Sequence, residues 1–495
     1  MSKTFYEIFS ELNRIPRPSH HEEQVADYLC RFAEERGLRY RRDARNCVVI
    51  EKAATPGCKA ASPVVILNHM DMVCVAKDGY MRDGRPFDPR HDAIRSFMET
   101  DEHGERWMKA EGTSLGADNG MGLSMALAIL DDDSLVHPAL EVLTTTNEED
   151  GMSGAEGLST DFIHGRQVIN LDSEAYDEIT VGAAGACLQV GRWELTTAAV
   201  PSSYSIFRLV MGGGLGGHSG VDINKGRCNC INELTTILAH DFVNDDYTLS
   251  DGLLICHLNG GTANASIASW AEALIALPKD KVEWMQDYVS FWDSDLHQRY
   301  AVTDPGIGIR LERIEPQVPQ QHIVGVGHLL HALQGLPYGV QAMRDDMPDT
   351  VMASNNIGMI RQEGNQLTVS CHTRSFDSSE QTCLSGAIHD IMLLGGAIAV
   401  DRLMDTGAWV ERPDSPLLAL TCQTFRDVLS FEPKKVAMHF VLEAAYYVEK
   451  YPGIEIASIG PRIIEPHSPS ERVSLDTADN IWHVVIELLR RLATQ

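Results

Sequence analysis

The sequence has little of what marks a membrane or secreted protein. No apolar run among its 495 residues approaches the roughly 18 residues that a membrane span requires. The opening stretch MSKTFYE lacks a basic segment followed by an apolar stretch and a small-residue cleavage site, so we expect no signal peptide. We therefore expect a cytoplasmic protein that does not have a membrane as a partner.

Positive charge and paired cysteines are also scarce. The 41 Lys and Arg residues stand against 70 Asp and Glu residues, which gives a formal net charge of −29 at pH 7. Because nucleic acids and anionic membranes bind through Lys and Arg, this balance disfavours both as partners. The 11 cysteines show neither disulfide-scaffold nor zinc-finger spacing, so we expect reduced thiols.

What the sequence does contain is the alternation of an α/β enzyme, long enough for two or three domains. Short apolar segments typical of buried strands lie at 64–67, 140–145 and 168–171. Apolar spacing predicts a helix after Ser19, with Ser19 and Glu22 as a capping box, and another that begins after Asn119. A further amphipathic helix is predicted over 481–489. Between about 184 and 400 the sequence pattern changes to alternating strands and glycine-rich turns, which indicates an inserted domain.

Metal-ligand residue types lie where each of the three predicted strands ends. His69 and Asp71 end the first strand. Glu148 and Glu149 follow the second, and Asp172 follows the third. Because open α/β sheets bind ligands beyond the carboxyl ends of their strands, we expect these side chains to converge. Imidazole and carboxylate ligands without a cysteine array suit a catalytic zinc site of one or two metals, so the pattern predicts metal-assisted hydrolysis.

Each of these residues also has an ordinary structural explanation. His69 and Asp71 share a face of an extended chain and could form a surface or capping pair. Asp118, between a glycine-rich turn and a helix, could be an N-cap, and residues 146–151 could form an acidic solvated loop. Adjacent carboxylates repel, which favours a bound cation at such a strand end. The residues by themselves leave these alternatives open.

Seven segments of the chain carry a family pattern in a fixed order. They are 15–19 (IPRPS), 68–73 (NHMDMV), 115–120 (LGADNG), 146–149 (TNEE), 170–174 (NLDSE), 217–220 (GHSG) and 466–469 (PHSP). Together they resemble the aminoacyl-histidine dipeptidases, also called peptidase D or Xaa-His dipeptidases, of the di-zinc aminoacylase and carboxypeptidase superfamily. The resemblance covers nearly the whole chain and implies a metal-dependent hydrolase of Xaa-His dipeptides such as β-alanyl-histidine. The alternatives are another di-zinc amidohydrolase (an aminoacylase, carboxypeptidase or tripeptidase) and a peptide-binding homologue without activity.

The resemblance implies two zinc ions per chain, for which Co²⁺ or Mn²⁺ could substitute. His69 and Asp172 would hold one ion. Glu149 and His467 would hold the other, and Asp118 would bridge the pair. The strand-end argument does not predict His467, so this ligand rests on the resemblance alone.

The resemblance also implies the catalytic and substrate-binding roles. Asp71 would orient the first metal-binding histidine, and Glu148 would be the general base that takes a proton from a zinc-bridging water and passes it to the leaving amine. In the inserted domain, His218 would stabilise the oxyanion. Arg374 would bind the C-terminal carboxylate of the substrate, and Asn264 would assist by hydrogen bonding.

Two segments depart from the family pattern. Residues 260–267 (GGTANASI) lack a residue before Asn264 and a Pro after it. Residues 439–443 (HFVLE) have bulkier middle residues than the expected His-Ala-Gly-Leu-Glu. His439 and Glu443 could still line the substrate pocket, so these differences bear on specificity more than on hydrolysis.

The fold class implied is α/β. A zinc-exopeptidase-like catalytic domain, residues 1–183 and 402–495, is interrupted by an α+β, ferredoxin-like lid domain at 184–401. The lid exceeds a single ferredoxin-like unit in length, so we expect it to hold two related halves. Its closure would bring His218 and Arg374 to the metals and limit the substrate to about two residues. The expected partner is a small peptide, and a homodimer is compatible with the sequence.

Overall fold

The computed structural model describes residues 2–315, 320–410, 412 and 414–494. Its helices are α1 Phe5–Leu12, α2 Glu23–Glu35, α3 Ala117–Asp131, α4 Ser153–Gly157, α5 Cys230–Phe242, α6 Val282–Arg299, α7 Val326–Gly335, α8 Ser378–Leu394, α9 Pro416–Leu429, α10 Ala444–Lys450 and α11 Leu475–Leu492.

The strands of the first part of the chain are β1 Arg39–Arg42, β2 Val48–Lys52, β3 Val64–His69, β4 Met81–Arg82, β5 Arg85–Pro86, β6 Ser96–Thr100, β7 Arg106–Ala110, β8 Leu140–Thr145, β9 Gln167–Asn170 and β10 Glu178–Ala183. Those that follow are β11 Gly185–Glu194, β12 Thr197–Ala199, β13 Tyr204–Gly212, β14 Leu254–Gly260, β15 Ala271–Pro278, β16 Gly308–Ile314, β17 Gln321–Ile323, β18 Gly339–Met343, β19 Val351–Glu363, β20 Gln366–Ser375 and β21 Ala399–Thr406. The last are β22 Trp409–Val410, β23 Lys434–Met438, β24 Glu455–Ser458, β25 Ile463–Ile464 and β26 Arg472–Ser474.

These elements form two compact units. Unit 1 comprises Met1–Gly182, Trp409–Ala437 and Glu443–Gln495, and unit 2 comprises Ala183–Ala408 and Met438–Leu442. Residues 402–408, expected in the catalytic domain, group instead with unit 2 because β21 pairs with β11 along its length. Residues 438–442 also group with unit 2, where the carbonyl of Met438 accepts a hydrogen bond from the N–H of Ala184.

Within the described residues, unit 1 is built on a nine-stranded mixed sheet. Its order is β1-β2-β8-β3-β9-β24-β10-β22, and β23 pairs with β10. Strand β3 runs parallel to both of its neighbours, β8 and β9. All residues of β3 and β8 are buried, as expected of strands covered on both faces. The three strands predicted from the sequence are therefore confirmed, and they are neighbours.

The helices of unit 1 follow the predicted apolar periodicity, with one exception at a helix start. In α3 the regular helix begins after Asn119, and α11 buries its predicted apolar stripe. The predicted capping box before α2 is wrong. The N-cap is Glu22, which makes no side-chain cap hydrogen bond, and the Ser19 hydroxyl donates to Asp71 Oδ2 at 2.8 Å. The Ser19 side chain thus makes a tertiary hydrogen bond to Asp71 instead of capping α2.

Unit 2 contains two halves of the same topology. In the described residues its nine-stranded sheet has the order β16-β13-β15-β14-β19-β20-β11-β21, with β18 beside β19. The segment from β13 to β16 has the order strand, helix, strand, strand, helix, strand, which is the ferredoxin-like pattern. Strands β11, β19, β20 and β21 with helices α7 and α8 repeat it, and β14 pairs with β19 where the halves meet. The expectation of two related halves agrees with this order.

The core of unit 2 lies between its sheet and the helices that cover it. A large cluster of buried apolar residues includes Leu234 and Leu238 of α5, Leu330 of α7 and Ile388 of α8.

No helix of the described ranges is long and apolar enough to cross a membrane.

Candidate active site

The carboxyl ends of three neighbouring strands bring an acidic cluster together in unit 1. His69 ends β3, Glu148 follows β8, and Asp172 follows β9. The His69 Nε2 atom lies 3.3 Å from Asp172 Oδ1 and 4.0 Å from Glu148 Oε2. The side-chain amide of Asn119 donates to the same oxygen of Asp172. The convergence follows from the parallel pairing of β3 with its neighbours, which places their carboxyl ends at one edge.

Asp118 connects this group with a histidine from the far end of the chain. Its Oδ1 lies 3.1 Å from His69 Nε2, and its Oδ2 lies 3.0 Å from His467 Nε2. Glu149 Oε2 lies 2.8 Å from the same His467 atom. The Asp118 carboxylate therefore stands between two groups of potential ligands, His69 with Asp172 and His467 with Glu149.

Asp71 fixes the proton of the His69 ring. The Nδ1 atom faces the carbonyl oxygen of Asp71 at 3.2 Å and its Oδ1 at 3.5 Å. Both are acceptors, so Nδ1 carries a proton. Although burial lowers it, the charge of Asp172 and hydrogen bonds to Asp118, Asp172 and Asp71 raise the pKa of His69 well above its usual range, so Nε2, which faces Asp118 and Asp172, also attracts a proton. The Asp71 carboxylate also accepts the backbone N–H groups of Glu148 and Glu149 at 3.1 and 3.2 Å. One side chain thus orients a histidine and the loop that carries two further carboxylates.

The charge of the cluster is unbalanced. Burial, to which the charges of Asp172 and Glu149 add, raises the pKa of Glu148 well above its usual range. Burial also raises the pKa of Asp172 and of Glu149. Hydrogen bonds to Asp118 and Glu149 raise the pKa of His467 to about 11. These shifts show that acidic groups are crowded around two imidazoles and would be stabilised by additional positive charge.

The donor set fits divalent cations. His69, Asp118 and Glu149 offer ligand atoms that all lie within 4.8 Å of one another. The second oxygen of Glu149, Oε1, is buried and accepts no hydrogen bond from the residues that the structure describes. A buried carboxylate oxygen without a donor is costly unless a cation compensates it. Imidazole nitrogens with carboxylate oxygens are ligands that zinc accepts readily.

Two buried side chains hold the backbone around Asp118, and neither was predicted to do so. The carboxylate of Glu471 accepts backbone N–H groups of the four consecutive residues 115–118 at 2.7 to 3.4 Å. The guanidinium of Arg17 donates to the carbonyls of residues 70 and 71 and to that of Gly116. Arg17 lies in a segment that carried the family pattern, and Glu471 lies four residues after His467, but periodicity does not reveal buried ionic groups.

The predicted residues of unit 2 form a second cluster. The guanidinium of Arg374 on β20 donates to the hydroxyl of Ser219 at 3.3 Å, and Ser219 follows His218 directly. The backbone N–H of Ser219 donates to the carbonyl of residue 265, next to Asn264. The Nε2 atom of His439 lies 2.7 Å from the hydroxyl of Ser354, which pairs with Arg374 across β19 and β20. Contacts made by the four predicted residues of this unit or by their sequence neighbours therefore link His218, Asn264, Arg374 and His439.

The ring of His218 is held neutral with its proton on Nε2. Its Nδ1 atom accepts the backbone N–H groups of Gly220 and Val221 at 3.3 and 3.2 Å. Burial and the charge of Arg374 lower the pKa of His218 to about 4. At neutral pH the Nε2–H is therefore a hydrogen-bond donor to which no acceptor is assigned among the described residues. An oxyanion-stabilising group requires such a donor.

Arg374 is a buried cation without a counter-ion. It is 3% exposed, and its side-chain hydrogen-bond partners among the described residues are Ser219 and His372, neither of which is acidic. Its Nε makes no hydrogen bond within the described part of the chain, and burial lowers its pKa to about 10. A buried guanidinium of this kind favours an anionic ligand.

Glu443 falls in unit 1, although His439 only four residues earlier falls in unit 2. The Glu443 side chain is 4% exposed, and its Oε1 has no hydrogen-bond partner among the described residues. Burial raises the pKa of Glu443 to about 8, so the carboxyl group is largely protonated at neutral pH. The two residues of this segment thus belong to different environments.

Comparison with known proteins identifies relatives over nearly the full chain. Residues 65–494 match Peptidase family M20/M25/M40. A cytosol non-specific dipeptidase of Escherichia coli (strain K12) is 32% identical over 487 residues, which cover 98% of this chain and 97% of that protein.

Solved structures of similar proteins also cover nearly the full chain. The crystal structure of an aminoacylhistidine dipeptidase from Vibrio alginolyticus superposes with a TM-score of 0.85 at 30% identity, covering 98% of this chain and 96% of that one. A tripeptidase from Staphylococcus aureus shares the fold at 13% identity, with a TM-score of 0.60 and full coverage of both chains.

Proposed function

This chain belongs to peptidase family M20/M25/M40, and on that premise we propose that it hydrolyses dipeptides with bound divalent metal. The observation that carries the proposal is the position of the Asp118 carboxylate. Its Oδ1 lies 3.1 Å from His69 Nε2, and its Oδ2 lies 3.0 Å from His467 Nε2. Such a carboxylate between two ligand groups suits a two-metal hydrolase. The E. coli and Vibrio relatives, both described as dipeptidases, support the substrate class.

The proposed metals are two zinc ions, with Co²⁺ or Mn²⁺ as substitutes. His69 and Asp172 would hold one ion, Glu149 and His467 the other, and Asp118 both. Bound zinc would polarise the scissile carbonyl and make water acidic enough to supply the nucleophile. The orientation of the His69 ring, with Nδ1 toward Asp71 and Nε2 toward Asp118, supports this assignment, as does the buried Oε1 of Glu149, which has no partner among the described residues.

Glu148 is the proposed general base. It lies beside the ligand groups, yet its nearest contact to His69 Nε2 is 4.0 Å, longer than the contacts of Asp118 and Asp172. Its carboxylate can therefore take a proton from the attacking water and deliver it to the leaving amine. Asp71 acts on the reaction only through His69 and the loop of Glu148 and Glu149, so it is a positioning residue.

The proposed roles of unit 2 are oxyanion stabilisation and substrate binding. His218 would donate its Nε2 proton to the carbonyl oxygen as negative charge develops there. Arg374 would pair with the C-terminal carboxylate of the substrate, which supplies the missing counter-ion. Asn264, whose Oδ1 is buried with no partner in the described residues, would accept a hydrogen bond from the substrate, and His439 and Glu443 would shape the substrate pocket.

The finer proposals concern substrate, location and assembly. Xaa-His dipeptides such as β-alanyl-histidine are the favoured substrates, within a range that the non-specific E. coli relative suggests is broad. The same relative, described as cytosolic, supports a cytoplasmic location. A homodimer is a separate proposal that light scattering of the purified protein tests directly.

A substrate panel tests the proposed function. Dipeptides, tripeptides and N-acyl amino acids are offered to the protein before and after chelation, and after zinc, cobalt or manganese is restored. We expect dipeptide hydrolysis that chelation abolishes and metal restores. Cleavage of N-acyl amino acids alone would establish an aminoacylase instead. A protein with less than one metal per chain and no chelator-sensitive turnover would be a peptide-binding homologue.

A further inference from the structure

His372 lies next to Arg374 on the same face of β20. Residues i and i+2 of a strand point to one side of the sheet, and the His372 Nδ1 atom lies 3.5 Å from an Nη2 atom of Arg374. Both side chains are buried, with His372 6% and Arg374 3% exposed. The pair thus forms a polar element within a covered part of unit 2.

The neighbouring guanidinium fixes the tautomer of His372. A guanidinium can only donate hydrogen bonds, so Nδ1 of His372 must accept and its proton must lie on Nε2. Burial and the charge of Arg374 also lower the pKa of His372 well below its usual range, which keeps the ring neutral. His372 therefore presents one N–H, at Nε2, and that atom is buried without a hydrogen-bond partner in the described chain.

Arg374 also has a buried N–H group without a hydrogen-bond partner in the described chain. Among the described residues its Nε–H is buried without an acceptor, and its side-chain hydrogen-bond partners, Ser219 and His372, carry no negative charge. An unsatisfied buried donor destabilises the folded protein, and an unpaired buried charge destabilises it more. Two such donors on neighbouring side chains, one of which is a cation, favour a ligand with acceptor oxygens and a negative charge.

We propose that His372 and Arg374 bind the C-terminal carboxylate of the substrate together, with His372 Nε2 donating to it alongside the guanidinium. This rests on the proposed function, and it adds a residue to which no role was assigned. His372 is then a specificity-determining residue, because a neutral donor beside the guanidinium rewards a free carboxylate over an amide. An uncharged C-terminal amide has one acceptor oxygen and brings an N–H₂ group against two donors.

Binding measurements on the zinc-loaded protein test the role of His372. Calorimetric titration gives the dissociation constants of L-leucine and L-leucinamide, which differ only in the carboxylate. We expect the wild type to prefer leucine and His372→Leu to lower that preference by about tenfold. His372→Gln, which retains an N–H donor, should keep it within about threefold. His240→Leu, at an exposed histidine of the same unit, is the matched control and should behave as the wild type.

The outcomes separate the inference from the proposed function. If His372→Leu fails to fold, His372→Met removes the donor with a similar volume and replaces it in the comparison. An unchanged preference for leucine in a folded donor-less variant overturns the role of His372, even if dipeptides are hydrolysed. In the dipeptide assay the same variant should raise KM about tenfold and change kcat by less than about threefold. A lowered kcat at unchanged KM indicates a structural role and also overturns it. Absence of dipeptide hydrolysis in the wild type removes the proposed function itself.

Discussion

Glu148 differs from the other carboxylates of the unit 1 cluster in its distance from the histidines. Asp118 and Glu149 lie 3.0 and 2.8 Å from His467 Nε2, whereas Glu148 approaches His69 Nε2 only to 4.0 Å. Glu148→Gln keeps the shape but cannot take up a proton. We therefore expect kcat to fall at least about a hundredfold, while the metal content stays at the wild-type level.

Steady-state kinetics and metal analysis of the same preparation check this expectation. Glu102→Gln, at a side chain that is 87% exposed, is the matched control. Turnover near the wild-type rate in the Glu148 variant would remove this residue from the mechanism. Loss of bound metal would instead make it a ligand.

His439 gives a pH-dependent prediction at the same scale. Burial and the charge of Arg374 lower the pKa of the folded ring from 6.5 to about 3. Between these values the unfolded chain binds a proton that the folded chain does not, so stability falls as the pH falls. At about pH 5 this one group should have reduced the free energy of unfolding by about 2 kcal/mol relative to neutral pH.

Urea unfolding of the wild type and of His439→Gln over this pH range measures the effect. The variant should lose about 2 kcal/mol less than the wild type on acidification, and His240→Gln, whose ring is exposed, should match the wild type. Parallel pH profiles for His439→Gln and the wild type would show that the folded ring titrates normally.

At the scale of elements, the start of α3 depends on the loop that carries His467. The regular helix does not begin until after Asn119, and Glu471 accepts the backbone N–H groups of residues 115–118 that precede it. Glu471→Gln places an amide N–H₂ against those donors and should displace Asp118. We expect metal affinity to fall about 10- to 100-fold, as for other groups that orient ligands.

Competition with a chromophoric chelator measures that affinity. Activity should return at saturating metal, because Glu471 does not touch the ligand atoms assigned to the metals. Glu102→Gln again serves as the exposed control. An unchanged affinity in the Glu471 variant would mean that the α3 start holds its conformation without this carboxylate.

At the scale of the whole molecule, metal binding should contribute to stability. The cluster crowds carboxylates whose pKa values burial raises, so unit 1 is under electrostatic strain that cations relieve. Metal that binds only the folded state adds about 2.7 kcal/mol at a free concentration about 100 times its Kd. Chelation should therefore lower the melting temperature seen by calorimetry, and zinc should restore it. A melting temperature independent of metal would contradict the proposed site.

The local elements and the type of chemistry were predictable from the amino-acid sequence. The apolar runs that became β3, β8 and β9 and the stripe of α11 were predictable, because side-chain direction repeats with a fixed period in strands and helices. Parallel neighbours then bring their carboxyl ends together, which made His69, Glu148, Glu149 and Asp172 predictable as a group.

Contacts between residues far apart in the sequence could not be predicted from the sequence pattern and became known from the folded structure. His467 contacts Asp118 across 349 residues, Ser19 bonds to Asp71 instead of capping α2, and residues 402–408 join unit 2. The unpartnered N–H groups of His372 and Arg374 also appear only when their surroundings are known. Such contacts depend on strand order and on the competition between local and distant hydrogen-bond partners. Neither is encoded in a periodic pattern, because each is settled by the packing of the whole unit.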